Sequence, residues 1–152
     1  MPKPRYYWDA GLFIALLQNE QRKDPADMPG LLEVVDMADN GEAFIITSGI
    51  TYTEVLDQPG HAPKRATFRQ VFERPNYQVV EPSLTISDKA ADFREVFKLK
   101  LPDATHLATA VLLKVDEMHT FDADDLIPLS GRAEVNGLLI RKPAAPQKRL
   151  AL

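Results

Sequence analysis

Short apolar runs alternate with segments of helical period along most of the chain, and this alternation limits the fold more than any other feature. Residues 5–9 (RYYWD), 43–47, 77–80, 117–121 and 134–140 read as strands. The stretches between them read as helices: GLFIALLQNE after the first strand, then 30–40, 51–56, 64–73, 85–98 and 102–115. The last of these is the clearest. Ala104, Leu107, Ala108, Val111, Leu112 and Val115 recur at i, i+3, i+4, i+7, i+8 and i+11. Residues 18–29 are polar, hold two prolines and read as a loop. Gly49 reads as a break, and 59–63 (PGHAP) as a turn.

A strand, a helix and another strand in succession favour parallel pairing, because the chain must cross back over the sheet. The expectation is an α/β fold whose mostly parallel sheet is covered on both faces. A chain of 152 residues can bury such a core as one domain. Sites in these sheets form outside the carboxyl ends of the strands.

Four acids fall at that end. Asp9 follows RYYW, and Asp122 follows MHTF. Glu54 lies in the helix after the second strand, and Asp103 opens a helix just after Pro102. Each has an ordinary explanation on its own. Asp9 and Asp103 suit helix starts, Glu54 suits a first turn, and Asp122 suits a turn after a strand. Their joint position is more informative. Carboxylates gathered at one edge repel unless a cation sits among them, and a metal site of oxygen ligands suggests phosphoryl or phosphodiester chemistry. Asp122 and Asp124 also have D-x-D spacing, but a calcium loop would need glycine at Ile127 and glutamate at Ala133. Asp124 and Asp125 are therefore assigned to the turn or to outer charges near the site.

Composition narrows the alternatives. No cysteine is present, which excludes disulfides, thiolate zinc sites and a cysteine nucleophile. No apolar run approaches the roughly 18 residues of a membrane span, and the amino-terminal stretch lacks the pattern of a signal peptide. The expectation is a cytoplasmic protein with no membrane partner. The net charge of -4 runs against binding nucleic acid through phosphates alone. Clustered carboxylates account for part of that charge, and the segment RKPAAPQKRLAL is locally basic through Arg141, Lys142, Lys148 and Arg149.

Over about residues 5–140 the chain resembles the PIN-domain ribonucleases, especially the VapC-like toxins of toxin–antitoxin pairs. The resemblance rests on YYWDAGLFIALL, ITSGITYTEVL, LPDATHLATAV and MHTFDADDL. It implies a three-layer α/β/α sandwich around a central, mostly parallel five-stranded sheet. It implies a nuclease domain over 1–142 and a basic tail over 143–152. It also implies Mg²⁺ or Mn²⁺ held by Asp9, Glu54, Asp103 and Asp122, with Thr120 orienting Asp122 or a water. An RNA substrate, a cognate antitoxin and a homodimer come with the same resemblance. The sequence departs from the family at Gly11, where members often carry serine or threonine.

The expected activity is metal-dependent hydrolysis of RNA phosphodiester bonds. One alternative is another magnesium-dependent phosphoryl-transfer hydrolase. A haloacid-dehalogenase-like site would want a second aspartate two residues after the first, where Gly11 stands. The other alternative is a PIN-like module that binds RNA or protein without cutting, against which all four acidic positions argue. Lys64, Arg65, Arg69 and Arg74 are candidate RNA contacts, with solvated helix faces as the plainer account. His61 and His106 read as packed helix or loop residues rather than ligands, and Tyr6, Tyr7 and Trp8 as core or dimer contacts.

Overall fold

Three consecutive aromatics cannot alternate between core and solvent, so the strand that carries them has to be covered on both faces. In the computed structural model, which describes residues 2–146, that strand is the middle of the sheet. The strands are Arg5–Trp8 (β1), Phe44–Ser48 (β2), Tyr77–Val80 (β3), Glu117–His119 (β4) and Leu139–Arg141 (β5). Their order is β3-β2-β1-β4-β5, and all four pairings are parallel.

The helices are Ala10–Gln18 (α1), Asp27–Asp39 (α2), Gly49–Leu56 (α3), Arg65–Phe72 (α4), Leu84–Phe97 (α5) and Leu101–Leu112 (α6). Successive strand residues point to opposite faces. Tyr6, Trp8 and Ile45 therefore join one core with Leu12, Phe13, Val34 and Val55 from α1 to α3. Tyr7, Ile46 and Met118 join the other with Phe93, Leu107 and Val111 from α5 and α6. These two cores make the expected three-layer α/β/α sandwich. Each fully buried large aliphatic or Phe side chain within them contributes about 1.5–3 kcal/mol.

Side chains bind the middle strand to its neighbours. Thr47 Oγ1 donates to the Trp8 carbonyl at 2.7 Å. Trp8 Nε1–H donates to His119 Nδ1 at 3.1 Å, and His119 also stacks on Tyr6. The backbone N–H of Arg5 donates to Asp116 at 2.7 Å. The carboxyl end of β1 is thus tied to both flanking strands.

Several boundaries differ from the sequence reading; β4 ends at His119 rather than 121, and α6 ends at Leu112 rather than 115. The loop expected over 18–29 ends early, because α2 begins at Asp27. Pro29 sits in its first turn, where a missing N–H costs nothing since those donors have no helical partner. Gly49 ends the second strand as expected, but α3 opens there rather than at Thr51, with the Ser48 hydroxyl accepting from Ile50 N–H at 3.3 Å. The fifth strand expected over 134–140 is shorter: Ala133–Val135 is a 3₁₀ turn and β5 begins at Leu139. Asn136 and Gly137 adopt positive φ (56° and 73°), which no strand tolerates.

Beyond β5 the chain crosses α2. Asp27, 3% exposed, lies between Arg22 at 3.1 Å and Lys142 at 2.9 Å. Gly30 makes the crossing possible, because a Cβ there would stand 2.3 Å from the Pro143 carbonyl oxygen. Residues 147–152, with Lys148 and Arg149 of the expected basic tail, lie outside the described residues. Gly30→Ala is expected to lower stability by about 1–3 kcal/mol through this backbone clash. Urea denaturation measures it, and an unchanged midpoint would mean that the crossing is not held in solution.

Candidate metal centre

In the order β3-β2-β1-β4-β5 the direction of winding reverses between β1 and β4, and the crevice for a ligand opens at their carboxyl ends. Asp9 leaves β1 there and Thr120 leaves β4. The Thr120 hydroxyl donates a short hydrogen bond to Asp9 Oδ2. Asp9 Oδ1 accepts from Leu12 N–H at 3.3 Å and caps α1. The cap reading of Asp9 is therefore correct and does not exclude ligation, since two carboxylate oxygens offer about four lone-pair sites. Gly11, in the first turn of α1, would place a Cβ 3.5 Å from Asp9 Oδ1, an ordinary contact.

Asp122 is held by its own turn. Its N–H donates to Thr120 Oγ1 at 3.0 Å. Its Oδ1 accepts from the N–H groups of Asp124 at 3.1 Å and Asp125 at 2.8 Å. That turn brings Asp125 back beside its neighbours. Asp103, Asp122 and Asp125 each offer a carboxylate oxygen, and the three oxygens lie within 4.8 Å of one another. Asp103 stands in the first turn of α6, after Pro102. Glu54 projects from α3, and its Oε1 accepts from His106 Nε2 at 2.8 Å.

The structure thus gathers the strand ends and helix starts at one edge, but not every expected residue into one tight set. Asp103 and Asp122 belong to the tight group. Asp9 couples electrostatically to Asp103, and Glu54 couples to Asp9. Asp125, assigned on sequence to the turn or to outer charges near the site, belongs to the group, whereas Asp124 does not. The i, i+3 spacing of Asp122 and Asp125 was the available signal, but it acquires meaning only once the turn folds back. His106 is a second residue whose importance the sequence understates. It is buried between Tyr7 Oη (2.7 Å from Nδ1) and Glu54.

Electrostatics mark the same place. Burial pushes the Asp103 carboxyl up to about 6, with the charges of Asp122, Asp9 and Asp125 adding to the effect. Burial likewise raises Asp9, opposed by His106 and the Thr120 hydroxyl. Buried, crowded carboxylates with only oxygen donors fit a hard divalent cation such as Mg²⁺ or Mn²⁺, which would relieve that repulsion.

Several basic residues named from sequence are engaged elsewhere. Arg69 pairs with Glu73 at 2.6 Å, and Arg74 pairs with Asp39 at 3.6 Å and lies over the Tyr77 ring. Arg141 lies 3.9 Å from Glu117, and Lys142 bridges Asp24 and Asp27. Lys64 and Arg65 are exposed beside α4. His61 is a packing residue. Its Nδ1 lies 2.7 Å from the Val55 carbonyl, and its ring meets Phe68 edge-on. No described helix is long and apolar enough to cross a membrane.

With fold and site in view, comparison with known proteins places the chain. The PIN domain family model matches residues 6–127, and the chain belongs to that family. Solved structures share the fold at low sequence identity. A toxin–antitoxin complex from Klebsiella pneumoniae is 23% identical, with a TM-score of 0.62 over 79% of this chain and 88% of its own. VapC20 of Mycobacterium tuberculosis, a sarcin–ricin loop cleaving toxin, is 13% identical, with a TM-score of 0.59 over 78% and 91%. VapBC2 from Rickettsia felis, bound to a DNA fragment from its promoter, is 7% identical, with a TM-score of 0.63 over 91% and 98%. No curated protein sequence matches the chain significantly.

A pH dependence follows for the metal-free protein. Asp103 has a folded-state value of about 6 against an ordinary 3.8, so the folded form holds the extra proton between them. Its contribution to stability is full below about pH 3.8 and is lost as pH rises through about 6. In chelator at pH 7.5, Asp103→Asn should raise the melting temperature by about 2–4 °C, the shift expected of roughly 1 kcal/mol after solvent screening. The gain should vanish near pH 4. A variant no more stable than the parent at pH 7.5 contradicts the crowding described here.

Proposed function

We propose that this PIN-domain protein is a divalent-cation-dependent endoribonuclease and the toxin of a toxin–antitoxin pair. The observation that carries the reading is the set of acids at the β1–β4 crevice, with Asp103 raised by burial and by Asp122, Asp9 and Asp125. Family membership supports it, as does the shared fold with structures described as toxins and toxin–antitoxin complexes. In this reading Asp9, Glu54, Asp103 and Asp122 hold Mg²⁺ or Mn²⁺, and Asp125 joins them at the rim.

When bound, the cation supplies Lewis-acid polarisation and offsets the negative charge that builds on a phosphodiester under attack. The chain's own contribution is positional. The Thr120 hydroxyl and the Leu12 N–H fix the two oxygens of Asp9. The turn N–H groups of residues 124 and 125 fix Asp122. The acids then need little reorganisation as negative charge develops on the substrate. Lys64 and Arg65, exposed at the start of α4, remain candidate contacts for an RNA backbone in this reading. The partners in this reading are RNA as substrate, a cognate antitoxin, and a second copy of the chain in a homodimer.

An RNA cleavage assay tests the proposal. The parent protein should cut RNA in Mg²⁺ or Mn²⁺, stop in EDTA and resume when the metal is returned. Asp103→Asn should lose at least about 10²-fold in rate, the scale of one missing electrostatic group at a reacting centre, while its circular dichroism stays native. Full activity in chelator, or in a folded Asp103→Asn protein, would remove the assignment. Binding of RNA without cleavage under every metal condition would instead favour a non-catalytic interaction module.

A further inference from the structure

His106 is 2% exposed and lies one turn beyond Asp103 on α6. Its two ring nitrogens meet groups from two other elements, Tyr7 of β1 and Glu54 of α3. The chemistry of those partners sets the direction of the line. A carboxylate only accepts hydrogen bonds, so Nε2 of His106, 2.8 Å from Glu54 Oε1, carries a proton. In the neutral imidazole Nδ1 is then an acceptor, and the Tyr7 hydroxyl 2.7 Å away donates to it. Tyr7 is itself fully buried, and burial holds its hydroxyl protonated.

The plainer account is that a buried histidine simply requires two partners. That account leaves the choice of partner unexplained. One end of the line is a strand residue locked in the core; the other is a site acid whose side chain is 34% exposed. A glutamate has three side-chain torsions, and on a helix surface it samples many rotamers. The contact with His106 removes that freedom at Oε1, and Oε2 takes no hydrogen bond among the described residues. When the imidazole is neutral, the Tyr7 hydroxyl favours the tautomer that donates to Glu54.

We infer that Tyr7 and His106 form a buried positioning device that holds Glu54 by Oε1 and presents its other oxygen to a divalent cation. The inference rests on the metal-site reading above. Glu54 is the one site acid to which His106 hydrogen-bonds among the described residues, so its positioning effect runs through Glu54. Partners in this position around metal sites typically change affinity by about 10–100-fold when removed.

Calorimetric titration of the full chain with Mn²⁺, without RNA, tests this. Glutamine places its amide N–H near the position of imidazole Nε2, and asparagine places its amide near Nδ1. His106→Asn should lower Mn²⁺ affinity about 10–100-fold, and His106→Gln should recover most of it. In a Glu54→Gln background, His106→Asn should cost nothing further. Tyr7→Phe, which removes one hydroxyl at nearly constant shape, should shift affinity in the same direction by less, and it serves if the His106 variants do not fold. Thermal melts accompany each titration. Equal losses for asparagine and glutamine that track the loss of melting temperature would overturn positioning in favour of packing. Unchanged affinity in the His106 and Tyr7 variants, with binding abolished in Asp103→Asn, would overturn this inference and leave the metal site standing. Unchanged affinity in Asp103→Asn would overturn the metal site, and the positioning device with it.

Discussion

Parallel pairing of β1 with strands on both sides is the constraint on which the rest depends. A parallel sheet brings every carboxyl end to one edge. The chain leaves β1 at Asp9 and β4 at Thr120, and their side chains meet across that edge. The same pairing requires covering helices on both faces; the start of α6 brings Asp103 to that edge, while Glu54, read from sequence as a first-turn acid, projects from the second turn of α3. The sheet thus fixes which acids become neighbours before any ligand is considered.

The acids at that edge serve two purposes at once. Asp9 caps a helix, and Asp122 closes a turn. These local bonds resemble those of many structural aspartates, yet they also hold the oxygens in place against mutual repulsion. The cost of that repulsion appears in the raised Asp103 carboxyl. Crowded, partly buried carboxylates held in place despite such a penalty support the proposed cation site.

The sheet strands and all six helices were legible as elements, the strands as short apolar runs and the helices from apolar residues at helical spacing. Positions fixed by local backbone chemistry were less so. The fifth strand was read too long, because Asn136 and Gly137 carry positive φ just where apolar residues continue the pattern. The start of α2 was masked by Pro29, which reads as a breaker but sits harmlessly in a first turn. Gly30 looked like a helix start, and its actual purpose is to admit the carbonyl of Pro143.

The sequence by itself determined the α/β class, the strand ends and four acidic positions facing one edge. These follow from periodicity and from the order of elements, which are local properties of the chain. Only the tertiary structure decided which acids stand close together, that Asp125 joins Asp103 and Asp122, and that His106 links Tyr7 to Glu54. Those are distances between residues up to about a hundred positions apart. They depend on how α3 and α6 pack against the sheet and on how one turn closes, which no spacing along the chain encodes.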